Sequence, residues 1–300
     1  MQQRPEATFG ISRRALLTGA GAVIASPLAH AASKRIAIID WAVLETALAL
    51  GILPIAGTEL IQCRKVIVEP AVPPGVADLG LRGSPNYELL QILRPDLILI
   101  SNFYEGKRSQ FERIATVKSL PVYQPGTSPY RLAVEAALSL GEIAGIQDAA
   151  KQYVADTDAE LQRAREALSG SSIRRAFVIV IGDARHLQAF GADSMFGDVM
   201  DRLGITNAWT QATRYSAAAP LSLEALATVP DAAVIIVSPL PPEFQRTQAS
   251  NALWQALPAV RRRRILIIPP VNHFGGLPSA RRFARLLMAA VQDLERQIHE

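Results

Sequence analysis

Residues 85–101 read PNYELLQILRPDLILIS, and residues 220–238 read PLSLEALATVPDAAVIIVS. Each stretch opens on Pro, places a Glu at the start of a short helical pattern, turns at Pro-Asp, and closes on an apolar strand ending in Ser. The turn is ordinary Pro-Asp chemistry, which any strand–helix–strand unit can carry. The order of features and the spacing from Glu to Asp, 8 residues in one copy and 7 in the other, favour a duplicated unit.

The same rhythm extends outward from both copies. RIAIID (35–40) is followed by VLETALALG, and FERIA by PVYQ. Later come AFVIVIGD (176–183), MFGDVMDRLG, ALWQAL, ILIIP (265–269) and a closing helical pattern from about 279 to 298. Strands alternating with helices predict parallel strands joined by crossover helices. The expected fold is therefore α/β, with two Rossmann-like lobes carrying parallel-type sheets over residues 32–128 and 170–300. The segment between them, 129–169, has no strand signal, and its Ala, Leu, Glu, Gln and Arg favour helix. Its later part, AAKQYVADTDAELQRAREAL, lacks Gly and Pro over about 20 residues. At about 1.5 Å per residue such a helix spans roughly 30 Å, enough for one long backbone helix to join the lobes.

The first 31 residues stand apart. Arg13-Arg14 in SRRALL precedes a weakly apolar stretch and the small-residue pattern Ala29-His30-Ala31, which reads as a twin-arginine export signal cleaved after Ala31. The apolar stretch, interrupted by Gly and Pro, is too short to span a bilayer, which needs about 20 apolar residues. Three of the 31 basic and one of the 27 acidic residues fall in this leader. The remainder is nearly neutral, which argues against nucleic acid as a partner. The run Arg261 to Arg264 enters a strand and reads as solvated. The one cysteine, Cys63, forms no internal disulfide and reads as a small buried hydrophobe. With no lipid-accepting cysteine after Ala31, the mature chain is expected in the periplasm as a monomer without membrane insertion.

Enzymatic motifs are missing. The four histidines show no HExxH spacing, and neither GxGxxG, GxxxxGK[ST] nor GxSxG occurs. Asp183 and His186 read as turn and rim residues rather than an acid–base pair. The expectation is a protein without catalytic residues, metal ligands or a cofactor.

Two α/β lobes on one long helix behind an export signal resemble the helical-backbone class of periplasmic binding proteins that serve ABC importers. The strings WAVLETALALGILPIAG (41–57), VADLGLRGSPNYELLQILRPDLIL (76–99), DARHLQAFGADSMFGDVMDRLGITNAW (183–209) and LWQALPAVRRRR (253–264) resemble its ferric hydroxamate (ferrichrome) branch. That resemblance implies an iron-siderophore as ligand, with the iron held by the siderophore and an importer's membrane subunits as partner. It implies that Arg82 and Tyr104 hydrogen-bond the hydroxamate oxygens, a role that suits a planar guanidinium fork and a phenol. Trp41, directly after the first strand, is expected in the cleft, with Tyr215 and the loop carrying Asn272, His273 and Phe274 facing it. Where the family pattern has tryptophans, this chain has Tyr215, Asn272 or His273, and Val66 or Ile67, which predicts a more polar and less crowded pocket. Glu88 and Glu224, one in each copy of the repeated unit, are the expected docking pair for the importer. Haem or a corrinoid is the alternative ligand, with Tyr104 or His273 available to ligate iron.

Overall fold

The computed structural model describes residues 34–182, 187–211, 213 and 218–299. The leader with Arg13, Arg14 and Ala31 lies outside the described residues, as do Asp183, His186 and Tyr215.

The first half is built from β1 (Ile36–Ile38), α1 (Trp41–Ala49), β2 (Ala56–Gly57), α2 (Leu60–Val66), β3 (Ala77–Asp78), α3 (Tyr87–Leu93), β4 (Leu97–Ile100), a 3-10 turn (Asn102–Lys107), α4 (Arg108–Glu112) and β5 (Thr116–Ser119). Its five strands are all parallel, in the order β3-β2-β1-β4-β5. β1 and β4 bury nearly every residue, as strands covered by helices on both faces must.

Two helices lead out of this half, α5 (Pro129–Ala144) and α6 (Gln147–Leu168). Ser128 caps α5 by accepting from the Arg131 amide at 3.1 Å, with Pro129 as its first residue. Gly145, at φ 71°, ends it in the left-handed conformation that glycine tolerates. The 22 residues of α6 amount to about 33 Å of helix. α5 packs on α1 of the first half and also on two helices of the second. The connection is thus a packed helix pair, with α5 as well as the long α6 tying the halves together. Their contact is close at Gly141, where a Cβ would lie 2.5 Å from that of Ala150.

The second half contains β6 (Arg175–Ile181), β7 (Leu187–Phe190), α7 (Met195–Arg202), β8 (Thr206–Asn207), β9 (Ala218–Leu221), a 3-10 turn (Leu223–Thr228), β10 (Ala233–Val237), the short helices α8 (Pro242–Thr247), α9 (Ala252–Ala256) and α10 (Pro258–Arg261), β11 (Ile265–Ile268) and α11 (Leu277–His299). β6, β8, β10 and β11 are parallel, but β7, towards one edge, pairs antiparallel with both β6 and β9. The parallel-type expectation thus meets an addition: the connection from β6 to β7 is too short for a crossover helix, so the chain doubles back as a hairpin.

The two copies of the repeated unit hold equivalent places. β4 pairs with β1, and β10 with β6, each beside the first strand of its sheet. They differ in the helix before the strand. Asn86 caps α3 through the Leu89 amide at 2.9 Å, whereas Ser222 makes no such cap and its segment winds only into the 3-10 turn. Cys63 is buried, and one apolar cluster runs from β1 through α5 and α6 to α11. Because Gly141 sits at the α5–α6 contact, Gly141→Val should cost about 1–3 kcal/mol through overpacking. Thermal or denaturant unfolding would read this as a lowered midpoint.

Candidate functional site

In an open parallel sheet, ligands bind beyond the carboxyl ends of the strands, where the strand order reverses. Here that point lies between β1 and β4. Asp40 and Trp41 follow β1, and Ser101 to Tyr104 follow β4. Asp40 caps α1 by accepting from the amides of Ala42 (2.8 Å) and Val43 (3.2 Å), and it also accepts from the Ser101 hydroxyl at 2.7 Å. One buried carboxyl therefore pins both strand ends together. Burial raises its pKa, against the lowering effect of those hydrogen bonds.

Arg82, beyond β3, reaches the same point. Its Nε donates to Glu59 Oε2 at 2.8 Å, and its guanidinium carbon stands 3.8 Å from the centroid of the Trp41 ring. The ring is fixed in turn, because Trp41 Nε1 donates to the Thr58 carbonyl at 2.9 Å. Ion pair and stacking together orient the plane of the fork. The phenol of Tyr104 lies near this guanidinium, and its pKa is raised chiefly by burial, against the lowering effect of Arg82.

The facing wall comes from the loop after β11. His273 packs its ring 4.6 Å from Phe274 and 5.5 Å from Phe190. Burial, aided by the charge of Arg82, lowers its pKa to about 4, so the imidazole is neutral at ordinary pH. The two walls meet where this loop touches the first half through Phe274 and the Tyr123 hydroxyl. Phe274 meets Phe103 and Tyr123 edge-on, at 6.3 and 5.8 Å. Tyr123 donates its hydroxyl to the Gly275 carbonyl at 2.9 Å, which anchors the loop.

Beneath the walls lies Glu45, fully buried on α1. Its carboxylate accepts from the Gly276 amide (2.7 Å), the Ser279 amide (3.2 Å), the Ser279 hydroxyl (3.0 Å) and the Asn272 side-chain amide (3.3 Å). Burial raises its pKa to about 7, with these donors pulling the other way. Further out, Glu69 of the first half pairs with Arg282 at 2.9 Å and with Arg285, both on α11.

Of the residues the sequence singled out, Trp41, Arg82 and Tyr104 come together, with His273 and Phe274 opposite. Asn272 does not join them: it is buried and turned to Glu45. Ile67 is buried, and Val66 packs on the same core. Phe103, half exposed beside Phe274, supplies aromatic surface that the expectation of a less crowded pocket omitted. Glu88 and Glu224 are exposed, each in the first turn of its segment. Sequence reasoning missed Glu45, Glu59 and Phe103. A charge inside the otherwise apolar α1 was the available sign for Glu45, since a buried carboxylate requires partners.

Two α/β halves, the first parallel-stranded and the second mixed, with a site at the strand ends define a class of ligand-binding proteins. A profile of the periplasmic binding proteins matches residues 36–271, and the chain belongs to that family. It is 31% identical over 290 residues to the iron(3+)-hydroxamate-binding protein FhuD of Escherichia coli K12, spanning 94% of this chain and 97% of that protein. It is 26% identical over 153 residues to the ferric-anguibactin-binding protein FatB of Vibrio anguillarum, across 50% of this chain and 47% of that one. Among solved structures, the Fe3+-Desferal-bound siderophore-binding protein FhuD of Vibrio cholerae matches with a TM-score of 0.82 at 24% identity, over 87% of this chain and 99% of that one.

The Glu45 carboxyl ionises near 4.5 when unfolded but holds its proton to about 7 when folded. Folding therefore takes up a proton between those values, so this contribution to stability falls as pH rises through the window and is flat above it. The unfolding free energy of the wild type relative to Glu45→Gln should decline with pH across this interval, by at most about 1.4 kcal/mol per unit. Denaturant unfolding at a series of pH values measures it.

Proposed function

We propose that this protein captures a ferric hydroxamate siderophore between its two halves, outside the cytoplasmic membrane, and delivers it to an ABC importer. The observation that carries the reading is the single guanidinium of Arg82, aligned by Glu59 and Trp41 beside the Tyr104 phenol. A ferric hydroxamate keeps oxygen lone pairs turned outward around its metal. The guanidinium and phenol donate to them, while Trp41, Phe103 and Phe274 meet the organic parts of the ligand.

Charge selects among iron ligands. Among the described residues of the site Arg82 is paired with Glu59 and His273 is uncharged, so these residues bring no surplus of positive charge. A ferric trihydroxamate is neutral overall and suits such a site. A ferric tris-catecholate, strongly anionic, would meet too little compensation on leaving water. The siderophore's own oxygens supply the coordination of iron. Among the described residues no three His, Cys, Asp or Glu side chains gather as a metal site. The relatives named above bind siderophores, and neither haem nor a corrinoid is favoured.

Export by the leader 1–31 as a twin-arginine signal, action as a monomer, and docking through Glu88 and Glu224 belong to the same reading. The matched first-turn positions of the two glutamates, one per half, suit an importer with two membrane subunits. The Glu224 carboxyl is held below its usual range by its own amide and the Ser222 hydroxyl, so it presents a full negative charge.

Arg82→Ala should weaken ferrichrome binding by about 1.5–3 kcal/mol, ten- to over a hundredfold, as tryptophan-fluorescence titration would read. A ferric tris-catecholate should not bind the wild type, and absence of binding by any ferric hydroxamate would overturn the reading. The double variant Glu88→Ala, Glu224→Ala should keep wild-type affinity yet lose uptake and ligand-stimulated ATP hydrolysis in the reconstituted importer. Normal uptake by that variant would reduce both residues to helix-start acids.

A further inference from the structure

Glu45 lies behind the cleft, where two of the elements that line it, α1 with Trp41 and the loop after β11, meet at its carboxylate. On α1 it lies one turn after Trp41, on the same side of the helix. Across the seam its donors are Asn272, Gly276 and Ser279, so His273 and Phe274 sit on the short arc of chain between its attachment points. The arc is shaped for this contact. A Cβ on Gly275 would stand 2.5 Å from Glu45 Oε1, and one on Gly276 would stand 2.6 Å from Thr46 Oγ1. Only residues without a side chain let the backbone amide of Gly276 close on the acid. Tyr123 ties the same loop from the first half, donating to the His273 and Gly275 carbonyls at 3.2 and 2.9 Å, while Glu45 is the group that joins it to α1.

We infer that Glu45 is a positioning residue that sets the gap between the Trp41–Arg82–Tyr104 wall and the His273–Phe274 wall, and with it the girth of ligand the cleft accepts. The selectivity part rests on the siderophore reading above; the clamp itself does not. A carboxylate whose two oxygens each take two donors holds a distance more strictly than apolar packing does, because hydrogen bonds fail within a few tenths of an ångström whereas buried surfaces slide. Glu45→Ala removes all four acceptor contacts at once and frees the arc.

The test uses the full-length protein with spin labels at Ile92→Cys and Leu253→Cys. These positions are 74% and 55% exposed, one on each half, whereas Cys63 is buried. Pulsed dipolar spectroscopy should give a narrow distance distribution with Glu45 and a broadened one with Glu45→Ala. Gly276→Ala serves as a second variant, since it lifts the arc off Thr46 without altering the acid. If the productive gap falls to about a tenth of the population, ligand dissociation constants should rise about tenfold. The preference between ferrichrome, which is cyclic, and ferrioxamine B, which is linear, should shrink in both variants. A folded variant with an unchanged distribution and an unchanged preference overturns the inference. Should Glu45→Ala fail to fold, Gly276→Ala decides alone. A wild type that binds neither siderophore would remove the ligand reading, while the label distances still decide the clamp.

Discussion

A carboxylate without access to water holds this molecule together across its seam. Glu45 sits in the middle of a helix whose neighbours Val43, Leu44 and Ala47 are all buried, where an unpaired charge would be costly. Four donors compensate it, and three residues of the opposite half supply them. The constraint runs outward from there. The close approach of the donors requires Gly275 and Gly276, which let the loop close on α1, and the loop brings Phe274 onto Phe103 and Tyr123.

The first wall is governed by topology. Strand order reverses between β1 and β4, so the chain segments leaving them diverge and open a crevice. Asp40 closes the bottom by capping α1 and taking the Ser101 hydroxyl, while Glu59, beyond β2, turns Arg82 onto Trp41. Apart from the local cap, these contacts join residues brought near by the sheet rather than by the chain. An arginine held on three sides loses little freedom when a ligand arrives, which is how a preorganised site gains affinity.

Rigidity and chemistry agree. The helix α5 packed against both halves, a buried clamp and the surface ion pairs from Glu69 to α11 all oppose a wide hinge. The Glu69 pairs are half exposed and screened by solvent, so they add little beside the buried clamp. A cleft with little room to close must already fit its ligand.

Much of this was legible in the sequence. The alternation of apolar strands with helices, the Pro-Asp turns of the repeated unit and the helix-rich stretch before Ser169 are local properties, because backbone propensity and turn chemistry act over a few residues. Trp41 stood out because it follows its strand directly, whereas Arg82 and Tyr104 were singled out through the family resemblance alone. What remained hidden was long-range. Asn272 reads as a cleft residue until Glu45, 227 positions away, is seen to claim its side chain. Phe103 reads as a neighbour of Tyr104 until Phe274 meets it, and the hairpin of β7 hides in a pattern that parallel strands share. Which donors satisfy a buried charge depends on which chain segments the sheet and helices bring together, and only the tertiary structure decides that.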